Sequence, residues 1–232
     1  MRKVITFLIL FCLPLLCVAQ GKIVRKPRPV PVPVPVPTPT TPDLSISSSD
    51  GYISGHGYVD LGLSVKWATC NVGASSYSDY GDYFAWGEIS AKSSYTEENS
   101  LIGRKLPLRM VSGIAGSLSY DAARAQWGGS WRLPIEEECK ELVEKCTWIW
   151  VTENEHKGCR VQGPNGKSIF LPAAGWRDDK VLNHDESTGN YWNSKPFGFG
   201  TGTSGGFNFN SKEWNMCYNY RYRGLSIRPV LD

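Results

Sequence analysis

YVDLGLSVKWATCNVGA, residues 58–74, is the stretch on which the fold turns. Val59, Leu61, Leu63, Val65 and Trp67 alternate with Asp60, Gly62, Ser64 and Lys66. That period of two predicts one half-buried strand across 59–67. Residues 84–86 (FAW) form a second short apolar segment. Further on, two helices are predicted. The first covers 120–127, with Ser119 as N-cap, Asp121 in the first turn and Gly128 as the stop. The second begins near Pro134, a residue tolerated at a first helical position. Its Cys139, Leu142, Val143 and Cys146 make one apolar stripe, and Glu136–Lys140 and Glu141–Lys145 are i,i+4 pairs on the solvated side. Strands return at 147–152, then at 159–161 and 169–171, which flank the turn signal Pro164-Asn165-Gly166. Residues 175–211 are Gly- and Asn-rich with little periodicity, which predicts long loops. Trp214, Met216, Tyr218, Tyr220 and Tyr222 then alternate with Asn215, Cys217, Asn219, Arg221 and Arg223, and a last strand is predicted over 225–230. The sum is an α+β domain over 52–232.

The segment before that domain has a different chemistry. In residues 1–19, Arg2 and Lys3 precede an apolar run, and Cys17-Val18-Ala19 places small residues at −3 and −1 for cleavage before Gln20. The run is short for a membrane span of ~20 residues, so an export signal is favoured over a retained anchor. Residues 27–42, PRPVPVPVPVPTPTTP, alternate proline with Val, Thr or Arg. Proline fixes φ and removes the amide donor, so a polyproline II stalk with a reach of ~50 Å is expected within 20–51, followed by a serine-rich joint. Six of the 25 basic residues fall in the first 42 positions with no acid, and the rest of the chain sets 19 basic against 22 acidic residues. The basicity therefore belongs to the tail, and a nucleic-acid partner is not expected. The expected location is the cell surface, the extracellular space or the periplasm of a Gram-negative bacterium.

Five ordered blocks carry a resemblance: YVDLGLSVKWATCNVGA (58–74), YGDYFAWGE (80–88), DAARAQWGGSWRLP (121–134), GPNGKSIFLPAAGWR (163–177) and GLSIRPV (224–230). Together they resemble the Fibrobacter succinogenes major paralogous domain family, over nearly everything after residue 55. The resemblance implies an exported protein with a C-type-lectin-like fold, distantly similar to formylglycine-generating enzymes. Such a fold has two helices flanking a small twisted antiparallel sheet, with long late loops presenting a ligand surface. The chain departs from the family at Ile135, where a capping Thr is usual, and at Cys139, where a large aromatic residue is usual.

The cysteines outside the signal are Cys70, Cys139, Cys146, Cys159 and Cys217, an odd number. The resemblance favours Cys70–Cys146 as a disulfide, since both lie in or beside family-like blocks. An oxidase resembling the formylglycine-generating enzymes would need two converging thiolates on a soft metal, and the C-terminal segment offers only Cys217. His56, His156 and His184 lack partners at ligand spacing, and His184-Asp185-Glu186 reads as a solvated loop. Calcium-dependent C-type lectins are similar to one another in a Glu-Pro-Asn-like and a Trp-Asn-Asp triplet. Gly163-Pro164-Asn165, Trp192-Asn193-Ser194 and Trp214-Asn215-Met216 lack the needed carboxylates. No Gly-x-Ser-x-Gly elbow is present. No catalysis, metal or cofactor is expected.

What remains is aromatic and amide chemistry. Trp176, Arg177, Tyr191, Trp192, Asn193, Asn208, Asn210, Trp214, Asn215, Tyr218, Asn219, Tyr220, Arg221 and Tyr222 are the ligand-binding candidates. Rigid rings with amide donors suit sugars or protein surfaces. On the 214–222 strand only one alternate face can meet a ligand if the other is buried. Arg132 and Arg228 are expected to make structural hydrogen bonds. The expected function is a non-catalytic module binding a glycan or surface polymer. A protein-binding adhesin or fimbrial accessory is the alternative.

Overall fold

The computed structural model describes residues 49–102, 112–198, 200 and 202–232; the expected signal and the proline-rich stretch lie outside these. In chain order the first elements are β1 (Gly51–Ile53), β2 (His56–Val59), β3 (Lys66–Ala68), α1 (Ala122–Trp127), α2 (Glu136–Lys145), β4 (Thr147–Glu153), β5 (His156–Gln162) and β6 (Ser168–Pro172). Then come β7 (Trp176–Asp178), β8 (Val181–Asn183), β9 (Gly189–Phe197), β10 (Thr203–Phe209), β11 (Trp214–Tyr220) and β12 (Val230–Leu231). They form four small antiparallel sheets, ordered β1-β2-β3-β12, β11-β10-β9, β4-β5-β6 and β7-β8.

This corrects the predicted fold class. The described residues are 39% strand and 9% helix, and the arrangement is not two helices flanking one sheet. The 175–211 stretch, predicted as long late loops, instead builds β7 to β10. Its strands escape pattern recognition because glycines stand where neighbours fill the space. A Cβ on Gly189 would lie 2.1 Å from the Phe209 ring, and one on Gly206 would lie 2.2 Å from the Tyr191 carbonyl oxygen. Apolar alternation is therefore missing from strands that are nonetheless buried.

The opening stretch is also corrected. Residues 59–67 are not one strand. Gly62 adopts φ +75°, and the Asp60 carboxylate accepts the Gly62 amide at 2.8 Å, which folds the chain back. β2 and β3 pair as a result, with Val59 opposite Trp67. Val59, Leu61, Val65 and Trp67 are still buried, so the alternation marked the core correctly and the secondary structure wrongly. The last predicted strand, 225–230, shrinks to isolated bridges such as Phe84 with Leu225, followed by β12.

Both helices form. Asp121 caps α1, where Ser119 was predicted to do so. Its buried carboxylate accepts the amides of Arg124 (3.2 Å), Gly116 (2.7 Å) and Leu133 (2.8 Å), tying the helix to the next segment. Ile135 at the N-cap of α2 offers no side-chain acceptor. Glu138 reaches back to the Ile135 amide at 2.8 Å and also holds Arg132 with two bonds of 2.9 and 2.7 Å. A carboxylate one turn on thus serves where the N-cap side chain cannot.

Cys139 and Leu142 of α2 enter one core with Trp148, Cys159, Val161, Ile169, Tyr191, Phe207 and Phe209. A second core gathers Phe84, Trp86, Trp131, Trp192 and Ile227. Arg228 is fully buried; it donates to Asn71 Oδ1 (2.9 Å), the carbonyls of Ala68 (3.0 Å) and Thr69 (2.8 Å), and the carbonyl of Phe170 (2.9 Å). It thereby staples β3 to β6 with each of its three nitrogens directed at an acceptor.

The predicted Cys70–Cys146 disulfide is not formed; the five cysteines among the described residues are free. Cys146 lies in the first core, whereas Cys70 packs against the second. Burial pushes the thiols of Cys146 and Cys159 up to about 12, as expected for cysteines that serve as small apolar fillers.

Candidate functional site

The β9–β10–β11 sheet sorts the candidate residues by parity. Phe207 pairs with Met216 and Phe209 with Trp214, and this face turns toward the first core. Asn208 pairs with Asn215 and with Asn190, and this face turns away from it. The sheet has thus one aromatic face and one amide face, the latter also carrying Trp192, which enters the second core.

On the amide face lies a cleft of about 320 Å³ lined by Trp176, His184, Thr188, Asn190, Asn208, Phe209, Asn210, Glu213, Asn219 and Arg223. Trp176, from β7, forms the aromatic wall: His184 stacks on it with ring centroids 4.7 Å apart, and the Arg223 guanidinium lies over the same indole at 5.9 Å. Arg223 is itself held by Asp178 at 3.0 Å, so its charge is largely compensated. Asn190 donates to Thr188 Oγ1 at 3.0 Å, and Asn219 donates weakly to Cys217 Sγ at 3.5 Å. Asn210 is partly a turn former, since its Oδ1 accepts the amides of Lys212 (2.8 Å) and Glu213 (3.1 Å). The Asn208 side chain, half-buried on the central strand, has no hydrogen-bond partner among the described residues.

The loop that delivers His184 is held against its own preference. His184 has φ +56° and Glu186 φ +58°, left-handed conformations that non-glycine residues rarely adopt. Glu186 pins the loop from the far side. It accepts the Lys157 amide at 2.8 Å and the Tyr80 hydroxyl, and it pairs with His156 Nδ1 at 3.1 Å. Burial works to raise the Glu186 carboxyl, but these bonds outweigh it and hold it below the ordinary carboxylate range. The same contact raises the Tyr80 hydroxyl, after burial as the larger cause.

Four of the predicted residues therefore meet: Trp176, Asn208, Asn210 and Asn219. Four others do not reach solvent. Tyr191, Trp192, Asn193 and Arg221 are buried, and the predicted ligand role is corrected for each. Tyr191 donates to the Pro172 carbonyl (2.9 Å), Trp192 to the Phe84 carbonyl (2.7 Å), and Arg221 to Ser204 Oγ (2.9 Å), while Asn193 accepts the Lys195 amide (2.9 Å). Arg177 stacks over Tyr83 at 5.0 Å, away from the cleft lining. Asn215 is exposed on the amide face, beyond the cleft. Trp214, Tyr218 and Tyr220 occupy the aromatic face. Trp214 stacks on Trp148, Tyr218 on Phe197 and Tyr220 on Tyr222. His184, Asn190, Glu213 and Arg223 were missed. The 184–186 cluster carried a signal, but only its pinning by Tyr80 and His156, distant in sequence, aims His184 at Trp176.

Among the described residues, no three His, Cys, Asp or Glu side chains group to hold a metal ion, and no helix is long and apolar enough to cross a membrane. The thiol of Cys217, not expected to be reactive, is pushed up to about 12 by burial. Comparison with protein-family models, curated proteins and solved structures gives no match.

Proposed function

We propose that this chain is an exported, stalked, non-catalytic binding module whose amide cleft takes a neutral glycan or surface polymer. One observation carries the reading: asparagine amides from β9, β10 and β11 line a cleft beside an indole, and the side chain of the central one, Asn208, has no hydrogen-bond partner among the described residues. Primary amides offer donor and acceptor on one rigid group, which matches the vicinal hydroxyls of a sugar, and the stacked His184–Trp176 pair supplies an apolar wall beside them. Arg223 is compensated by Asp178 while the Glu213 carboxylate also lines the cleft, so its charge balance disfavours an anionic ligand. Export and the stalk are supported by residues 1–42, and membership of the Fibrobacter succinogenes major paralogous domain family by the five ordered blocks.

The test is a fluorescence titration of the full chain with neutral mucin-type and bacterial envelope oligosaccharides. A saturable change is expected. Asn208→Ala and Trp176→Ala should each weaken binding at least about tenfold, equivalent to ~1.4 kcal/mol. Binding that survives both substitutions, or no response to the whole panel, would overturn the reading.

A further inference from the structure

β11 is an edge strand, and it lacks the usual protection. Its sequence, WNMCYNY, has no charge, proline or glycine, and its pairing with β10 runs without a shift from Thr203 opposite Tyr220 to Phe209 opposite Trp214. Natural edges are normally blunted by lysine, proline, bulges or shortness. Here the one bulge of the sheet lies on the β9 side, between Ser204 and Gly206. Trp214, Tyr218 and Tyr220 are 36%, 53% and 47% exposed.

The hydrogen-bond parity shows which groups face outward. Arg221 N–H donates to the Gly202 carbonyl (2.8 Å) beyond one end, and Asn210 N–H to the Glu213 carbonyl (2.9 Å) beyond the other. Odd-numbered residues of β11 therefore bond to β10, and Trp214, Met216, Tyr218 and Tyr220 turn their backbone groups to the free edge. Among the described residues, only the Tyr220 carbonyl finds a backbone partner there, the Arg223 amide at 3.0 Å.

We infer that this edge pairs with the same edge of a second copy, antiparallel, about a two-fold axis at Cys217. The strand is chemically self-complementary about that residue. Met216 would stand opposite the second copy's Tyr218, Trp214 opposite its Tyr220, and Asn215 opposite its Asn219. Apolar and aromatic side chains meet their like, amides meet amides, and no like charges are opposed. The parity agrees as well. Met216–Tyr218 and Trp214–Tyr220 are pairs of outward-bonding residues, so each exchanges ladder hydrogen bonds, while Cys217 meets its copy as a non-hydrogen-bonded pair. Residues directly opposite share a face, so the pair forms a six-stranded sheet with both amide clefts open to one side. Two clefts on one side give avidity toward a repeating polymer. The pairing itself does not rest on the glycan reading.

The test uses the full chain in reducing buffer, with sedimentation velocity over a range of concentrations and amide hydrogen exchange read at single residues. The expected result is a mass rising toward the dimer, with the Trp214, Met216 and Tyr218 amides gaining protection in step. Tyr218→Pro removes an outward amide without touching the β10 ladder. Asn215→Lys adds the charge that natural edges carry. Each should raise the dissociation constant at least about tenfold while leaving exchange in β10 unchanged. A chain that stays monomeric with these amides unprotected would overturn the inference. So would a dimer indifferent to both substitutions, which would place the interface elsewhere. Protection of the same amides in a monomer by an added extended peptide would overturn the second copy as occupant.

Discussion

β6 and β10 are both central to the packing of this domain, and they are built on opposite plans. β6, SIFLP, is buried along its whole length by its own side chains; Ile169, Phe170 and Leu171 are each almost inaccessible. β10, TSGGFNF, is nearly as buried, yet glycines hold two of its central positions. Its neighbours do the filling: Asn193 crowds Gly205, and the Tyr191 backbone lies against Gly206. One strand fills space and the other yields it. The second plan lets three strands approach closely and leaves Asn208 as the only polar side chain projecting from β10 into the cleft.

The difference can be broken most severely at Gly206. A Cβ there would lie 2.2 Å from the Tyr191 carbonyl oxygen, a backbone atom that cannot rotate away. Gly206→Val is expected to cost about 4 kcal/mol or more, enough to unfold a marginally stable domain. Gly166→Ala is the control: nothing lies within 4 Å, and only the φ of +86° opposes it, so about 1 kcal/mol is expected. Urea unfolding of both variants checks this; equal losses would mean that close approach is not what defines β10. On β6 the opposite substitution is the damaging one. Phe170→Ala removes a ring that meets Tyr77 edge-on at 6.2 Å, and about 3–4 kcal/mol is expected from the lost burial and the cavity. A loss under about 1 kcal/mol would show that β6, too, is filled by its neighbours.

The same contrast explains what could be read from the chain. β4, β5, β6, α1 and α2 were legible because their own side chains carry the apolar pattern. α2 in particular shows its stripe at Cys139 and Leu142, and both predicted ion pairs form, Glu136–Lys140 at 3.3 Å and Glu141–Lys145 at 2.6 Å. β9 and β10 were illegible because their burial is written in other segments: in Phe209 for Gly189 and in Tyr191 for Gly206. The cleft followed suit. Trp176, Asn208 and Asn219 could be nominated by residue type. Tyr191 and Trp192 could not be told apart from them, because ring chemistry alone does not distinguish a wall from a core. His184 and Arg223 needed the fold, since one depends on the Glu186 pin and the other on the turn after β11.

α2 sharpens the comparison at the small end, because it packs on β9, β10 and β11 while sharing a core with β5 and β6. Its Glu141 also reaches the 60–65 turn, accepting the Ser64 amide at 2.8 Å. Burial works to raise the Glu141 carboxyl, but the Lys145 ammonium and the Ser64 bonds outweigh it and bring it down to about 2, from an ordinary 4.5. A carboxyl depressed in the folded state adds stability that is complete above its unfolded value and is lost as pH falls toward the folded one. Because Lys145 is mostly exposed, solvent screening limits the contribution to about 1 kcal/mol. Glu141→Gln should therefore lower the urea midpoint at neutral pH. The gap to the parent chain should close as pH is taken from about 4.5 toward about 2. A gap that stays constant across that range would assign the role of Glu141 to packing rather than charge. It would leave the 60–65 turn attached to α2 by shape, as β6 is attached to its neighbours.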